Sequence, residues 1–261
     1  MRREQSQQNA PDESAPGHLK ADKSTLFVVG VPIGHPDDVT IRALRVLRQA
    51  DVIASEDPAA TQRLLSYHGI DRPLTSYGPT NMRGKVAVFI HRLQRGARIA
   101  IVSDCGSPVI ADPGCLLVAA AHSHGIQVVS VPGPSALTAA VAATGLSGDS
   151  FFFQGRLPDT KSLMRRCLAG LLTNQTPTVA FCSQKSLTLA LMTMAEIASQ
   201  RFLVLACDLT KPQEKIIRGN AGQIQRILSD CAQTTQDVTF ILEGSKTSMN
   251  ARARKKKKRA D

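Results

Sequence analysis

Apolar positions along the chain fall into short runs separated by amphipathic stretches. Residues 26–30 form one such run, broken by Gly30 and Pro32; behind it Ile41, Leu44 and Leu47 recur at helical spacing after the capping residues Asp38 and Thr40. This predicts a strand and then a helix. Residues 52–55 resume a strand. The same beat returns at 98–103 as strand, at Asp112-Pro113 as the N-cap and first position of a helix that Gly125 stops, and at 126–131 as strand. The Ala-rich stretch 135–144 predicts a helix closed by Gly145. Strands alternating with helices of this length imply parallel βαβ units, hence an α/β fold whose ligands sit at the carboxyl ends of the strands.

A second α/β unit follows the Gly-Leu-Ser-Gly-Asp stretch at 145–149. Its pattern predicts strands at 151–153, 178–182, 202–209, 215–218 and 238–242, and helices at 159–172, 186–199 and 221–232. Two successive strands with no helix between them imply a mixed sheet. The expected organisation is a disordered N-terminal arm (1–24), an N-terminal α/β domain (25–147), a C-terminal α/β domain (148–246) and a disordered basic tail (247–261). No repeat of solenoid period is present.

Composition narrows the class. A chain of 261 residues, 43% hydrophobic and 20% charged, buries a real core and is neither collagen-like nor disordered throughout. The six cysteines, at 105, 115, 167, 182, 207 and 231, include no C-x-x-C pair and read as small core residues of a reducing compartment. His122 and His124, two apart on a predicted helix, face different ways, so no metal is assigned. No apolar run reaches the ~18 residues of a membrane span, and the polar first residues lack the apolar core of a secretory signal. The expected location is the cytoplasm, with no membrane partner. The formal charge is +11, of which the segment from Ala251 on, seven basic residues against Asp261, holds +6 and the body the remaining +5, since the first 24 residues balance. A mild basic excess suits a polyanionic substrate, and the tail suits phosphates read without sequence.

Three loops share one design: Gly30-Val-Pro-Ile-Gly34, Ser103-Asp-Cys-Gly-Ser-Pro108 and Val131-Pro-Gly-Pro-Ser135 each place Gly and Pro after an apolar strand, where backbone can approach a ligand closely. If the strands are parallel, all three meet on one rim. The chain has no G-x-G-x-x-G, no P-loop, no G-x-S-x-G and no H-E-x-x-H, which removes a phosphate-led nucleotide site and the easily recognised hydrolases.

Val31-Pro-Ile-Gly34, Arg42-Ala-Leu-Arg-Val-Leu47, Glu56-Asp57, the stretch from Ser103 to Gly114, and Val131-Pro-Gly-Pro-Ser-Ala136 resemble the tetrapyrrole methylase superfamily, and within it the ribosomal branch. Phe153-Gln-Gly-Arg-Leu-Pro158, with Lys161 and Arg165 after it, resembles the family's F-x-G-F-L-P segment; Asp208-Leu-Thr-Lys211, Glu214 and Arg218-Gly219 resemble its E-L-T-K, E and R-G positions. The similarity runs from about residue 26 to 244. It implies two α/β domains with an S-adenosylmethionine site in the cleft between them, a homodimer, and 2′-O-methylation of a cytidine ribose in 16S rRNA of the 30S subunit. Several polar positions differ from the pattern: His35 stands for Asn, Pro58-Ala59 for Thr-Arg, Cys182-Ser-Gln-Lys-Ser-Leu187 for Y-E-S-P-H-R, and Cys207-Asp208 for Arg-Glu. Two alternatives therefore accompany the reading, a catalytically weakened or inactive RNA- or ribosome-binding homologue and a tetrapyrrole (precorrin-type) methyltransferase.

On this reading the donor contacts lie around Pro32, Gly34, Asp104, Gly106, Ser107, Pro108, Gly133 and Ser135. A ribose hydroxyl is weakly acidic and must lose its proton, which makes Asp208 the expected proton acceptor and Lys161 or Lys211 the expected electrostatic stabiliser. Asp112, followed by Pro, reads as a helix cap.

Overall fold

The computed structural model describes residues 24–146, 148–230 and 237–245. The expected arm up to residue 23, the basic tail, and the end of the helix expected at 221–232 lie outside the described residues.

The first half builds β1 (Thr25–Val29), α1 (Ile41–Gln49), β2 (Val52–Ser55), α2 (Pro58–Tyr67), β3 (Leu74–Ser76), α3 (Met82–Gln94), β4 (Arg98–Val102), α4 (Cys115–Ser123), β5 (Gln127–Val131) and α5 (Ala136–Thr144). The strands form a sheet of order β3-β2-β4-β1-β5, parallel throughout. Alternating side chains feed two cores: Phe27, Val29 and Ile53 pack with Val46, Leu47 and Leu65 of α1 and α2, while Leu26, Val52 and Ile99 pack with Phe89, Leu93 and Leu117 of α3 and α4. Thr40 caps α1 by accepting from the Ala43 N–H at 3.1 Å, and Gly145 ends α5 in the left-handed region at φ 69°.

One expected boundary is corrected. Asp112-Pro113 does not open a helix: α4 begins at Cys115 with Gly114 as its N-cap at φ 140°. The chain cannot turn helical sooner because Val109 and Ala111 stand at φ 74° and 56°, in the left-handed region, so the loop after β4 runs on for two residues past the Asp-Pro pair.

The second half builds β6 (Phe152–Arg156), α6 (Lys161–Leu171), β7 (Thr178–Cys182), α7 (Gln184–Ile197), β8 (Leu203–Cys207), β9 (Lys215–Gly219), α8 (Ala221–Ser229) and β10 (Val238–Leu242). Its sheet, of order β6-β7-β10-β8-β9, is mixed: β6 runs parallel to β7, and the other pairings are antiparallel. Consecutive β8 and β9 form the expected antiparallel pair. Helices α6, α7 and α8 cover one face around Met164, Leu168, Leu191, Met194 and Phe240. The other face packs Val179, Val204, Ala206 and Ile241 against Ala140 of α5 and Ile33 of the loop after β1, so the two halves share a buried apolar contact. Among the described residues no helix is long and apolar enough to cross a membrane.

Candidate functional site

The loops singled out by their Gly and Pro content follow β1, β4 and β5, and these strands are neighbours in the order β4-β1-β5, so all three loops emerge side by side. They are also bonded to one another. Gly30 N–H donates to Val131 O at 3.0 Å, and Val31 and Gly106 exchange N–H···O bonds of 2.9 and 3.1 Å. Two glycines make this possible: a Cβ built on Gly133 would lie 2.7 Å from the carbonyl of Gly30, and one on Gly30 would lie 2.8 Å from the backbone of Gly133. Gly34 plays the same part across the halves, where a Cβ would meet Thr210 Oγ1 at 2.6 Å and Leu209 O at 2.7 Å. The adjoining His35 N–H donates to Thr210 Oγ1 at 2.9 Å.

Between this rim and the second sheet lies a cavity of about 240 Å³. The first half contributes Ile33, Glu56, Asp104, Gly106, Ser107, Asp112 and Ser135; the second contributes Arg156, Phe181, Ala206, Leu209 and Asp237. Of the expected donor contacts, Asp104, Gly106, Ser107 and Ser135 line the cavity. Gly34 and Gly133 support it from behind through the close backbone contacts above; Pro32 and Pro108 belong to the same two loops without lining it.

Carboxylates dominate one wall. Asp104 Oδ1 accepts the Asp57 N–H at 2.8 Å, while Asp57 caps α2 through the N–H groups of Ala59 and Ala60. Burial pushes the Asp112 carboxyl up to about 7, helped by a hydrogen bond and charge from Glu56 and by the charge of Asp104; Arg156 opposes the rise. The Asp112 carboxyl therefore keeps a proton close to neutrality. The residue read as a helix cap is in fact part of this wall. Burial pushes the thiol of Cys182, which also lines the cavity, up to about 12.

The second half supplies a charged knot at the turn after β8. Asp208, 1% exposed and at φ 48°, accepts the Asp237 N–H at 3.1 Å through Oδ1, and Lys211 Nζ lies 3.5 Å from the same oxygen. Lys211 also donates to Asp237 Oδ2. Burial pulls the Lys211 ammonium down, but the hydrogen bond and charge of Asp237 and the charge of Asp208 outweigh it and hold it above the usual lysine value. It is a fixed cation. Lys161 is placed elsewhere: it opens α6, its ammonium 3.7 Å from Glu196 of α7 and largely exposed, and it does not line the cavity.

Asp237, Asp112 and Arg156 escaped the sequence reading. Asp237 ends a polar stretch with no periodicity, and Asp112 was masked by its neighbour Pro113. Arg156 carried a usable signal, since it stands where the resembling segment reads Phe.

The chain matches the family model described as tetrapyrrole (corrin/porphyrin) methylases over residues 25–225. It is 41% identical over 198 residues to the ribosomal RNA small subunit methyltransferase I of Thermotoga maritima, covering 76% of this chain and 89% of that protein. It is 37% identical over 219 residues to the protein of that name from Neisseria meningitidis serogroup B, covering 84% of this chain and 75% of the relative. Among solved structures, diphthine synthase superposes with a TM-score of 0.67 at 15% identity, over 84% of this chain and 90% of that one. Uroporphyrin-III-C-methyltransferase from Thermus thermophilus superposes with a TM-score of 0.60 at 19% identity, over 84% and 94%. These two share the fold. With the three loops, the cavity they line and identities of this size over most of its length, the chain belongs to the tetrapyrrole (corrin/porphyrin) methylase family.

Proposed function

We propose that the chain transfers a methyl group from S-adenosylmethionine to a ribose 2′-hydroxyl of a cytidine in 16S rRNA. The observation that carries this is the likeness, over most of its length, to relatives named ribosomal RNA small subunit methyltransferase I, combined with a cavity at the rim where the three loops meet. The residues present suit such a donor. Ile33, Phe181, Ala206 and Leu209 offer apolar walls for a base, Glu56 and Asp104 can accept hydrogen bonds from hydroxyl or ammonium groups, and Gly106 and Ser107 bring backbone to the lining.

The donor supplies a methyl carbon on a sulfonium, already a good leaving group. What the protein must do is orient the acceptor hydroxyl, exclude water and manage one proton. Lys211, kept cationic by its two carboxylate neighbours, stabilises the developing alkoxide, Asp208 holds Lys211 in place from its buried position, and Asp237, on the cavity lining, takes the proton. Lys161, on α6 with Arg165 and paired with Glu196 of α7, is a contact for RNA phosphate in this scheme.

The body's basic excess fits a polyanionic partner, the 16S rRNA of the 30S subunit. The division into an N-terminal (25–147) and a C-terminal (148–246) α/β domain, the homodimer and the cytoplasmic location belong to the same proposal. The test is incubation of the full chain with labelled S-adenosylmethionine and 30S subunits, followed by nucleoside analysis. Label in 2′-O-methylcytidine is the expected result. Donor binding without transfer would favour the non-catalytic ribosome-binding homologue instead.

A further inference from the structure

Arg156 is the only lysine or arginine among the described residues that line the cavity, where four carboxylates, Glu56, Asp104, Asp112 and Asp237, also stand. It reaches that position through an irregularity. The β6–β7 register shifts between Phe153 and Gly155, and Gly155 stands at φ 81°, so the strand bulges one residue before the arginine. Bulges re-aim the side chains that follow them. The guanidinium then crosses to the first half, donating through Nε to the Ala111 carbonyl at 3.4 Å. That is a weak, single-point contact. Although Arg156 lines the cavity with four carboxylates, no carboxylate among the described residues lies within ion-pair distance of it, and its two terminal nitrogens carry no hydrogen bond to a described residue.

A guanidinium fork is matched geometrically to a carboxylate or phosphate, and Arg is the residue that binds such groups through two parallel hydrogen bonds. The surroundings choose between these two. A phosphate brought next to Asp104 meets like charge. An α-amino acid carries an ammonium and a carboxylate on one carbon, which suits a site with a cation on one side and carboxylates on the other.

Resting on the donor assignment above, we infer that Arg156 binds the carboxylate of the donor's amino-acid end, whose ammonium faces Asp104 and Asp112. The fork would be seated by the bulge and held near its working position by the Ala111 carbonyl.

The test compares S-adenosylmethionine with its decarboxylated analogue, which keeps the sulfonium, ammonium and nucleoside but has no carboxylate. Calorimetry on the full-length wild type is expected to show the parent donor binding about 10–100-fold more tightly, the size of a charge-assisted hydrogen-bonded pair. Arg156→Met is expected to erase that preference by weakening the parent donor while leaving the analogue unchanged, and Arg156→Lys to restore part of it. Arg156 is exposed on an edge strand, so both variants should retain the wild-type unfolding midpoint. An unchanged preference in Arg156→Met would overturn the inference. So would unchanged donor affinity with a raised KM for 30S subunits, which would give the fork to an RNA phosphate. A wild type that binds neither ligand would bring down the donor assignment itself, a result separate from either of these.

Discussion

On the rim of the first sheet, close backbone contacts fix the loops that carry three of the cavity's carboxylates, Glu56, Asp104 and Asp112, whereas the rim of the second sheet contributes Arg156, Asp237 and apolar side chains. Gly30 against Gly133, Gly106 against Val31 and the left-handed Val109 and Ala111 shape one side; Arg156 and Asp237 line the other, with Asp208 and Lys211 bonded to Asp237 outside the lining. The division has a physical logic. Parallel strands buried on both faces leave few side chains free for a ligand, so the loops past their carboxyl ends do the contacting. A mixed sheet with one face on α5 can place titratable groups at its turns.

The largest effect should come from breaking the backbone side. Gly133→Val puts side-chain atoms where the Gly30 carbonyl already stands, 2.7 Å from the new Cβ, so the β1 and β5 loops must separate. Denaturant unfolding should show a loss of about 3 kcal/mol or more, with donor binding lost in the same variant. Wild-type stability with lost binding would mean that Gly133 faces the ligand directly.

How far the sequence reveals each side follows from the same contrast. The Gly and Pro loops are legible because conformational demand is written in residue type: only glycine tolerates the Gly30–Gly133 approach. The strands are legible from apolar runs, including the adjacent β8 and β9 that imply a mixed sheet. Helices α2 and α3 are harder to read, although Asp57-Pro58 is a proper cap and N1 pair, because α3 spreads Val86, Val88, Phe89 and Ile90 around its circumference rather than along one stripe. Asp112 misleads because Asp-Pro has the same chemistry at a helix start and in a loop. Asp208 looks like surface charge in sequence but is 1% exposed, and Asp237 joins it only through the β8–β10 pairing. Tertiary contact decides those positions.

Next in size is the charged knot. Asp208→Ala removes a buried carboxylate that holds both Lys211 and the Asp237 N–H, which should cost about 3 kcal/mol. Asp237→Ala, at an exposed carboxylate, should cost under about 1 kcal/mol yet lower the methylation rate at least as much. A rate loss confined to Asp208→Ala would move the proton back to Asp208. Both variants should leave donor affinity nearly unchanged, because the acceptor side is what they alter.

A smaller effect tests the acidic wall. Because the Asp112 carboxyl is raised to about 7 in the folded protein, the native state binds more protons than the unfolded one between the ordinary carboxylate range and that value. Stability should therefore fall as pH rises from about 4 to 7 and level off above, by at most about 2 kcal/mol after solvent screening. Urea midpoints across that range should lose the decline in Asp112→Asn. A midpoint that rises over the same window in wild type would show that the wall is not desolvated.

Smallest of all should be the stability change in Lys161→Ala, under about 0.5 kcal/mol, since its partner Glu196 is shared with Arg165 at 2.9 Å and all three are exposed. Methylation should respond through KM for 30S subunits rather than through donor affinity. A fall in kcat alone would place the lysine at the reacting atoms instead.

In the proposed function the donor occupies the cavity between the two sheets. Cys105 lines that cavity from an exposed loop, so Cys105→Trp fills it while leaving the core untouched. Calorimetric titration of S-adenosylmethionine into wild type and Cys105→Trp, both in chelator, tests the claim directly. Saturable one-site binding to wild type is expected, with an affinity at least about 100-fold lower in the variant at an unchanged unfolding midpoint. Equal affinity in the two proteins would contradict that placement.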